Sequence, residues 1–324
     1  MISKIYFGIP AYNEAENLEG CLGSLNNQSV DSVLETHLCV NGCTDLTEKV
    51  ASSCKQEFPR INLKIHHSAK GKTLAQNKII NSINDDNSPV VFLDSDTILE
   101  TDCVKNLEDE LLKNDKIQAV GALPIPYEIS GLTLWEKFLF NMLHIRAFYP
   151  QSEISVNNVS RFKDYVFEFP QNSVSSEFEL KSKIFFHGRA FMLRNKNIFL
   201  LPEENNVFDD TYLPNKIHQV FGPGSIRTRF DAKVFYKPYL SLRQHFNAYR
   251  RIYLDKLFLD KNFHEFEETR ESEKTTLDWN YILSLDYSTI SLFLTYFFVR
   301  NVEEKLFSIL PKTLPSSLWY YDKK

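Results

Sequence analysis

Apolar and polar positions change places in regular blocks along the first third of the chain. Ile5 to Ile9 is a short apolar run before Pro10, the length of a buried strand. From Glu14 to Asn26 the apolar residues fall at Leu18, Cys21, Leu22 and Leu25, a spacing of three and four that predicts a helix. His37 to Val40 predicts a strand that ends on the turn signal Asn41-Gly42. Leu46 to Phe58 predicts a helix, and Ile61 to Ile65 alternates as a strand. Thr73 to Ile83 predicts a helix carrying Leu74, Ile79, Ile80 and Ile83. Val90 to Leu93 is a short buried strand, and Asp102 to Leu112 a helix. The order β-α-β-α-β-α-β predicts an α/β domain with a mainly parallel, Rossmann-like sheet flanked by helices. Such sheets receive ligands at the carboxyl ends of their strands, so the chemistry is sought directly after each strand.

Beyond Gln118 the pattern loosens. Leu132 to Phe148 predicts one amphipathic helix rich in aromatic residues, and Gln151 to Lys183 is polar and irregular. Ile184 to Leu193 returns to strand character. Asp209 to Ile217 predicts a short helix stopped by Pro214, and Ser225 to Phe235 a strand. From Leu240 the pattern is mostly helical.

Composition narrows the function classes. The chain has 324 residues, 43% hydrophobic and 24% charged, which is globular composition. Ten glycines leave little room for glycine-rich phosphate loops. A net charge of −5 argues against a general nucleic-acid binder, which needs a basic field. Five cysteines without a CxxC pair favour reduced thiols over a disulfide framework or a structural zinc. The first residues lack a signal-peptide apolar region. The run Tyr287 to Val299 would make a helix of about 20 Å, short of the ~30 Å hydrocarbon core. These features predict a cytoplasmic protein.

Two carboxylate pairs carry the sharpest chemistry. Asp94-Ser95-Asp96 follows the buried strand directly, where one carboxylate could hold a divalent cation that bridges phosphates and the other a ribose hydroxyl. Asp209-Asp210 opens a helical segment, a place for a base that takes a proton from a hydroxyl or for a simple helix cap. Arg250 and Arg251, with Arg243 nearby, could clamp a departing diphosphate. Lys70-Gly71-Lys72-Thr73 is no P-loop, because the required first glycine is replaced by His66. Its lysines could still approach an anion at a helix start. His187-Gly188-Arg189 lies on a strand-like stretch. There is no HExxH, GxGxxG or GxSxG.

Taken in order, these pieces resemble a family 2 glycosyltransferase of the GT-A fold, the nucleotide-diphospho-sugar transferase fold. Ile9-Pro10-Ala11-Tyr12-Asn13-Glu14 is similar to the family's opening PAYNE segment, and Asn41-Gly42-Cys43-Thr44-Asp45-Leu46-Thr47 to its NGCTD-x-T segment. Lys70-Gly71-Lys72 with Ala75 and Asn77 resembles KGxxxAxN, and Asp94-Ser95-Asp96 the DxD. Gly188 through Arg194 resembles the acceptor-side GxxxxxR strand, and Asp209-Asp210 through Leu213 the ED motif. The resemblance implies that Pro10, Ala11, Tyr12, Glu14, Asn41 and Asp45 cradle base and ribose, with Lys72 near base or phosphates. It implies that Asp94 and Ser95 lie at the donor, and that Asp96, with Asp94 beside it, holds Mg²⁺ or Mn²⁺. It implies that Asp210, preceded by Asp209, is the base of an inverting displacement, with His187, Gly188 and Arg189 on the acceptor side.

Where the family often carries an acidic residue to meet uracil, Val40 and Asn41 stand here. The expected donor is a UDP-sugar, with a GDP-sugar as the alternative. The processive synthases' QxxRW is replaced by Asn247-Ala248-Tyr249-Arg250-Arg251, which favours transfer of one sugar. The implied acceptor is a hydroxyl of a glycan, a lipid-linked sugar or a polysaccharide precursor. The implied layout is a catalytic domain over 1–235, its nucleotide half about 1–120 and its acceptor half about 121–235, then a helical extension over 236–324. That extension could pair two copies or rest on the inner face of a membrane. A nucleotidyltransferase of the same fold and a non-catalytic scaffold are the competing readings.

Overall fold

The computed structural model describes residues 2–149, 153–155, 186–199, 201–202, 209–222, 224–267, 269 and 275–311, with backbone alone at 153–155 and 275–277. The expected first half is present. Strand β1 (Lys4–Ala11) leads to α1 (Leu18–Asn26), β2 (Val33–Asn41), α2 (Thr47–Glu57), β3 (Leu63–Ser68), α3 (Lys72–Ser82) and β4 (Val90–Leu93). Then come β5 (Thr97–Leu99), α4 (Cys103–Leu112), β6 (Ala119–Pro126), α5 (Leu134–Leu143), α6 (Ile145–Phe148), β7 (Glu153–Ser155) and β8 (Ala190–Leu193). The described chain closes with α7 (Asp209–Phe221), β9 (Ile226–Tyr236), α8 (Leu242–Asn262), β10 (Thr275–Leu277), α9 (Trp279–Leu283) and α10 (Tyr287–Ile309).

Eight strands form one sheet in the order β3-β2-β1-β4-β8-β6-β9-β5, and β7 and β10 pair separately. The first four run parallel. Seven of the eight residues of β1 are buried, as a parallel strand covered on both faces requires. The other half is mixed: β8 is antiparallel to both β4 and β6, β6 and β9 are parallel, and β5 is antiparallel to β9. The parallel pairing is therefore continuous in the first half of the chain, and the antiparallel β8 seats the second half against it.

Two apolar layers sandwich the sheet. Leu18, Cys21, Leu22 and Leu25 of α1, Ala51 and Cys54 of α2, and Val104, Leu107 and Leu111 of α4 pack on one face. Ala75 and Ile79 of α3 and Leu213 and Ile217 of α7 pack on the other, together with Leu259 and Phe266 from the region beyond 236. A third cluster joins α5, α6, α9 and α10 through Leu139, Met142, Ile145, Ile282, Phe293 and Tyr296.

Several expectations are corrected. The helix expected over Leu132 to Phe148 is two, α5 and α6, interrupted at His144, whose ring binds Tyr236 and the backbone of Tyr239. Residues 59–61 form a 3₁₀ turn, so β3 starts only at Leu63. Within the predicted strand Ile184 to Leu193, only Ala190–Leu193 is strand among the described residues. Pro214 does not stop its helix, because α7 runs on to Phe221. Proline forfeits a single backbone bond there, and burial of Tyr212, Leu213, Pro214 and Ile217 outweighs it. Asn215 also donates its side-chain amide to the Thr211 carbonyl. The irregular stretch Gln151 to Lys183 lies outside the described residues apart from 153–155. No helix among the described residues is long and apolar enough to cross a membrane.

Candidate active site

The loops after β1 and β2 are laced together. Asn13 takes a left-handed backbone, φ 53°, which asparagine tolerates better than most residues. Its Oδ1 accepts from the Thr44 backbone amide at 2.8 Å, and its own backbone N–H donates to Cys43 Sγ at 3.3 Å. Glu14 is buried, its amide donating to Thr47 Oγ1 at 2.8 Å and its carboxylate accepting from Asn17 at 2.8 Å. Asp45 accepts from the Ala15 amide at 3.2 Å and from the Thr47 amide at 3.0 Å. Burial pushes its carboxyl up, but the Thr47 and Ala15 donors hold it below its ordinary value. Glu14 and Asp45 thus shape the loops through bonds inside the chain. Pro10 and Ala11 end β1, and Ser95 Oγ ties the next loop to them by donating to the Pro10 carbonyl at 3.1 Å. Asn41, the buried last residue of β2, leads into this rim, where the Lys70 ammonium lies 4.7 Å from the Tyr12 ring.

The two carboxylate pairs meet on one lysine. Lys72 opens α3, and its Nζ lies 2.8 Å from Asp94 Oδ1 and 3.1 Å from Asp209 Oδ2. Burial acts against its charge, but Asp209 and Asp94 hold the ammonium protonated. One turn along α3, Gln76 Nε2 donates to Asp209 Oδ2 at 2.6 Å. The segment around Gly188 closes the other side. The Asp94 amide donates to the Arg189 carbonyl at 2.9 Å. A Cβ on Gly188 would stand 3.0 Å from Asp209 Oδ1 and 3.2 Å from Asp210 Cβ, so glycine is what lets the backbone lie against the pair. The Arg189 guanidinium stacks 3.9 Å above the Tyr236 ring, and His187 beside them is half-buried.

The acids sit in different electrostatic surroundings. Burial and the charge of Asp94 raise Asp96 above the usual carboxylate range, against the pull of Arg189 and Lys72. Burial and the charge of Asp209 push Asp210 up to about 6, against Lys72 and Arg189. Asp209 is 2% exposed and both its oxygens are engaged, whereas Asp210 is half-buried and, among the described residues, its side chain makes one long contact, with Thr211 Oγ1 at 3.5 Å. A cavity of about 370 Å³ flanks Asp96, lined among others by Glu16, Asn17, Tyr127 and Lys237.

The sequence expectations converge here only in part. Lys72, Asp94, Asp209, Asp210, Gly188 and Arg189 come together. Arg250 instead donates from Nη2 to the Pro311 carbonyl at 2.9 Å, and Arg251 follows it on α8. Gln76 was missed, because a glutamine in a helical stretch carries no signal of its own. Its only clue is its place four residues after Lys72, on the same helix face. Tyr236, the platform for Arg189, lies just past the predicted strand Ser225 to Phe235, where no motif marks it.

No cluster of three or more metal-ligating side chains exists among the described residues. A divalent cation bound through one or two carboxylates and substrate phosphates needs no such cluster. Asp94 and Asp96 fit that role: they are hard oxygen donors, close enough that the charge of one raises the proton affinity of the other.

Residues 6–197 match the model of the family described as glycosyl transferase family 2. Over 96 residues the chain is 33% identical to a glycosyltransferase of Bacillus subtilis (strain 168), YfnE, described as uncharacterized. That stretch is 30% of this chain and 24% of the relative, so the chain spans about a quarter of that protein. Among solved structures, residues 1–349 of S. aureus TarS resemble the fold with a TM-score of 0.51 at 15% identity, covering 98% of this chain and 78% of that one. The mannosyltransferase PcManGT from Pyrobaculum calidifontis, solved with GDP-Man and Mn²⁺, gives 0.53 at 17% identity over 77% of this chain and 60% of its own.

Proposed function

Because the chain belongs to glycosyl transferase family 2, a family of glycosyltransferases with the GT-A fold found here, we propose that it moves one sugar from a nucleotide-diphospho-sugar to a hydroxyl acceptor, with inversion at the anomeric carbon. The observation that carries the reading is the meeting of Asp94 and Asp209 on Lys72, which sets the donor carboxylates and the base pair side by side. The loops Pro10–Glu14 and Asn41–Thr47 form the rim where the base and ribose sit. Asp94 and Asp96 would hold Mn²⁺ or Mg²⁺, and the solved complex of PcManGT with GDP-Man and Mn²⁺ supports this. When bound, the cation neutralises diphosphate charge, so the leaving group departs more readily. Lys72 adds a second positive charge beside the same groups.

Asp210 performs the proton chemistry. Its carboxylate takes the proton of the acceptor hydroxyl as that oxygen bonds to the anomeric carbon and the bond to the diphosphate oxygen breaks. Gly188 and Arg189 border the space in which the acceptor sits. The catalytic unit is proposed to span 1–235. Leu259 and Phe266 bury themselves in its second apolar layer, so the helical extension from 236 is built onto it.

Binding and turnover separate the roles. With Mn²⁺ and a panel of nucleotide sugars, Asp96→Ala is expected to lose metal-dependent binding in calorimetry. Asp210→Asn is expected to retain binding and lose turnover. Full transfer by both variants refutes the reading.

A further inference from the structure

We propose that Gln76 is a positioning residue for the catalytic base: it fixes Asp209 as the structural half of the pair, so that Asp210 alone faces the acceptor. The inference rests on the glycosyltransferase reading and adds a residue to its machinery. Asp209 and Asp210 are neighbours in sequence and chemically alike, yet the fold treats them differently. Asp209 Oδ2 takes Gln76 Nε2 at 2.6 Å and Lys72 Nζ at 3.1 Å, while its Oδ1 takes Lys72 Nζ at 3.1 Å and faces Gly188. Neither oxygen is left for a substrate proton. Lys72 and Gln76 stand four residues apart on α3, so one helix face delivers both donors.

The arrangement has a cost that a purely structural residue would avoid. Gln76 is 1% exposed, and its Oε1 finds no hydrogen-bond partner among the described residues. Turning the amide over would place Oε1 against the Asp209 carboxylate, acceptor facing acceptor. The amide is therefore held with its donor on Asp209 and its carbonyl unsatisfied. A buried orphan acceptor is disfavoured in folded proteins, and a leucine of similar size would fill the same space without one. What leucine lacks is the donor to Asp209. Asp209 opens α7, so its tether also sets where the next residue, Asp210, projects.

The test compares wild type, Gln76→Leu, Gln76→Glu and the double variant Gln76→Glu/Asp209→Asn. The probes are UDP-glucose, UDP-N-acetylglucosamine and GDP-mannose with Mn²⁺, and the readouts are release of nucleoside diphosphate, donor affinity and melting temperature. Gln76→Leu is expected to lower kcat about 10- to 100-fold while donor affinity moves less than about threefold. Gln76→Glu sets two carboxylates against each other and is expected to lose as much. The double variant restores the hydrogen bond with its direction reversed, and its kcat is expected to rise about tenfold over Gln76→Glu. A Gln76→Leu variant with wild-type kcat, or one that loses donor affinity as much as kcat, overturns the inference, as does a double variant no better than Gln76→Glu. Wild-type protein that binds no donor in the full panel of nucleotide sugars refutes the glycosyltransferase reading itself.

Discussion

Gly188→Ala perturbs the base pair by a single methyl group. The added Cβ would stand 3.0 Å from Asp209 Oδ1, 3.2 Å from Asp210 Cβ and 3.4 Å from Asp210 Cγ. Comfortable contact between such atoms begins at about 3.5 Å, so the first turn of α7 must retreat by about 0.3–0.5 Å. Asp209 cannot swing freely, because Gln76 and Lys72 hold it. A misplacement of about 1 Å in a reacting group costs on the order of 100-fold, and a third to a half of that displacement scales to a loss of about five- to tenfold in kcat. This corresponds to about 1 kcal/mol of transition-state stabilisation. The methyl group faces the base pair rather than the loops assigned to the nucleotide, so donor affinity is expected to change less than about twofold. The assay is steady-state release of nucleoside diphosphate, with donor binding by calorimetry and a thermal melt as controls. A variant with wild-type kcat and an unchanged melt refutes the close packing on which the reasoning rests.

Other expectations follow from the same geometry. As the proposed base, Asp210 has to be ionised, and it is pushed up to about 6, so the rate is expected to be full above that pH and to fall about tenfold per unit below it, which a pH–rate profile reads. Away from the site, burial pushes Glu35 up, yet Lys64, Lys4 and His37 hold it at about 2. A depressed carboxyl stabilises the fold above its unfolded value near 4.5 and loses that contribution as pH falls toward 2. With Lys64 47% and Lys4 30% exposed to screening solvent, Glu35→Gln is expected to cost about 1–2 kcal/mol at neutral pH and much less at pH 3 in denaturant titration. Gly8→Ala would set a Cβ 2.7 Å from Phe92, whose ring is stacked against Phe191 and Phe199, and is expected to cost about 1–3 kcal/mol by thermal melting.

The first half of the chain was legible because each of its elements solves one problem. Val90 to Leu93 is buried on both faces, so an unbroken apolar run marks it, and a polar Asp94-Ser95-Asp96 directly after it marks a strand end. The second half was harder to read. The strand β6 carries Gly121, Pro124 and Pro126, which look like breakers, yet Gly121 is there because a Cβ would collide with Phe186, at 2.4 Å from its Cβ. Three-residue β5 is too short to show a period, and it exists because β9 supplies its bonding partner. Pro214 was read as a stop because a local rule cannot weigh the burial of Leu213 and Ile217. At the site, the motif aspartates were visible one by one. That Lys72 joins them, and that Gln76 commits one of the base pair, depends on side chains 137 and 133 positions apart and had no linear signature.

The most direct measurement concerns the configuration of the released sugar. Purified protein is incubated with Mn²⁺ and α-linked UDP-glucose, UDP-N-acetylglucosamine or GDP-mannose, water serving as acceptor, and the first sugar formed is observed by ¹H NMR before mutarotation. The β anomer is expected to form first from the preferred donor, chelation of the metal to stop its release, and Asp210→Asn to abolish it. First formation of the α anomer, or release that persists in Asp210→Asn, would contradict the account.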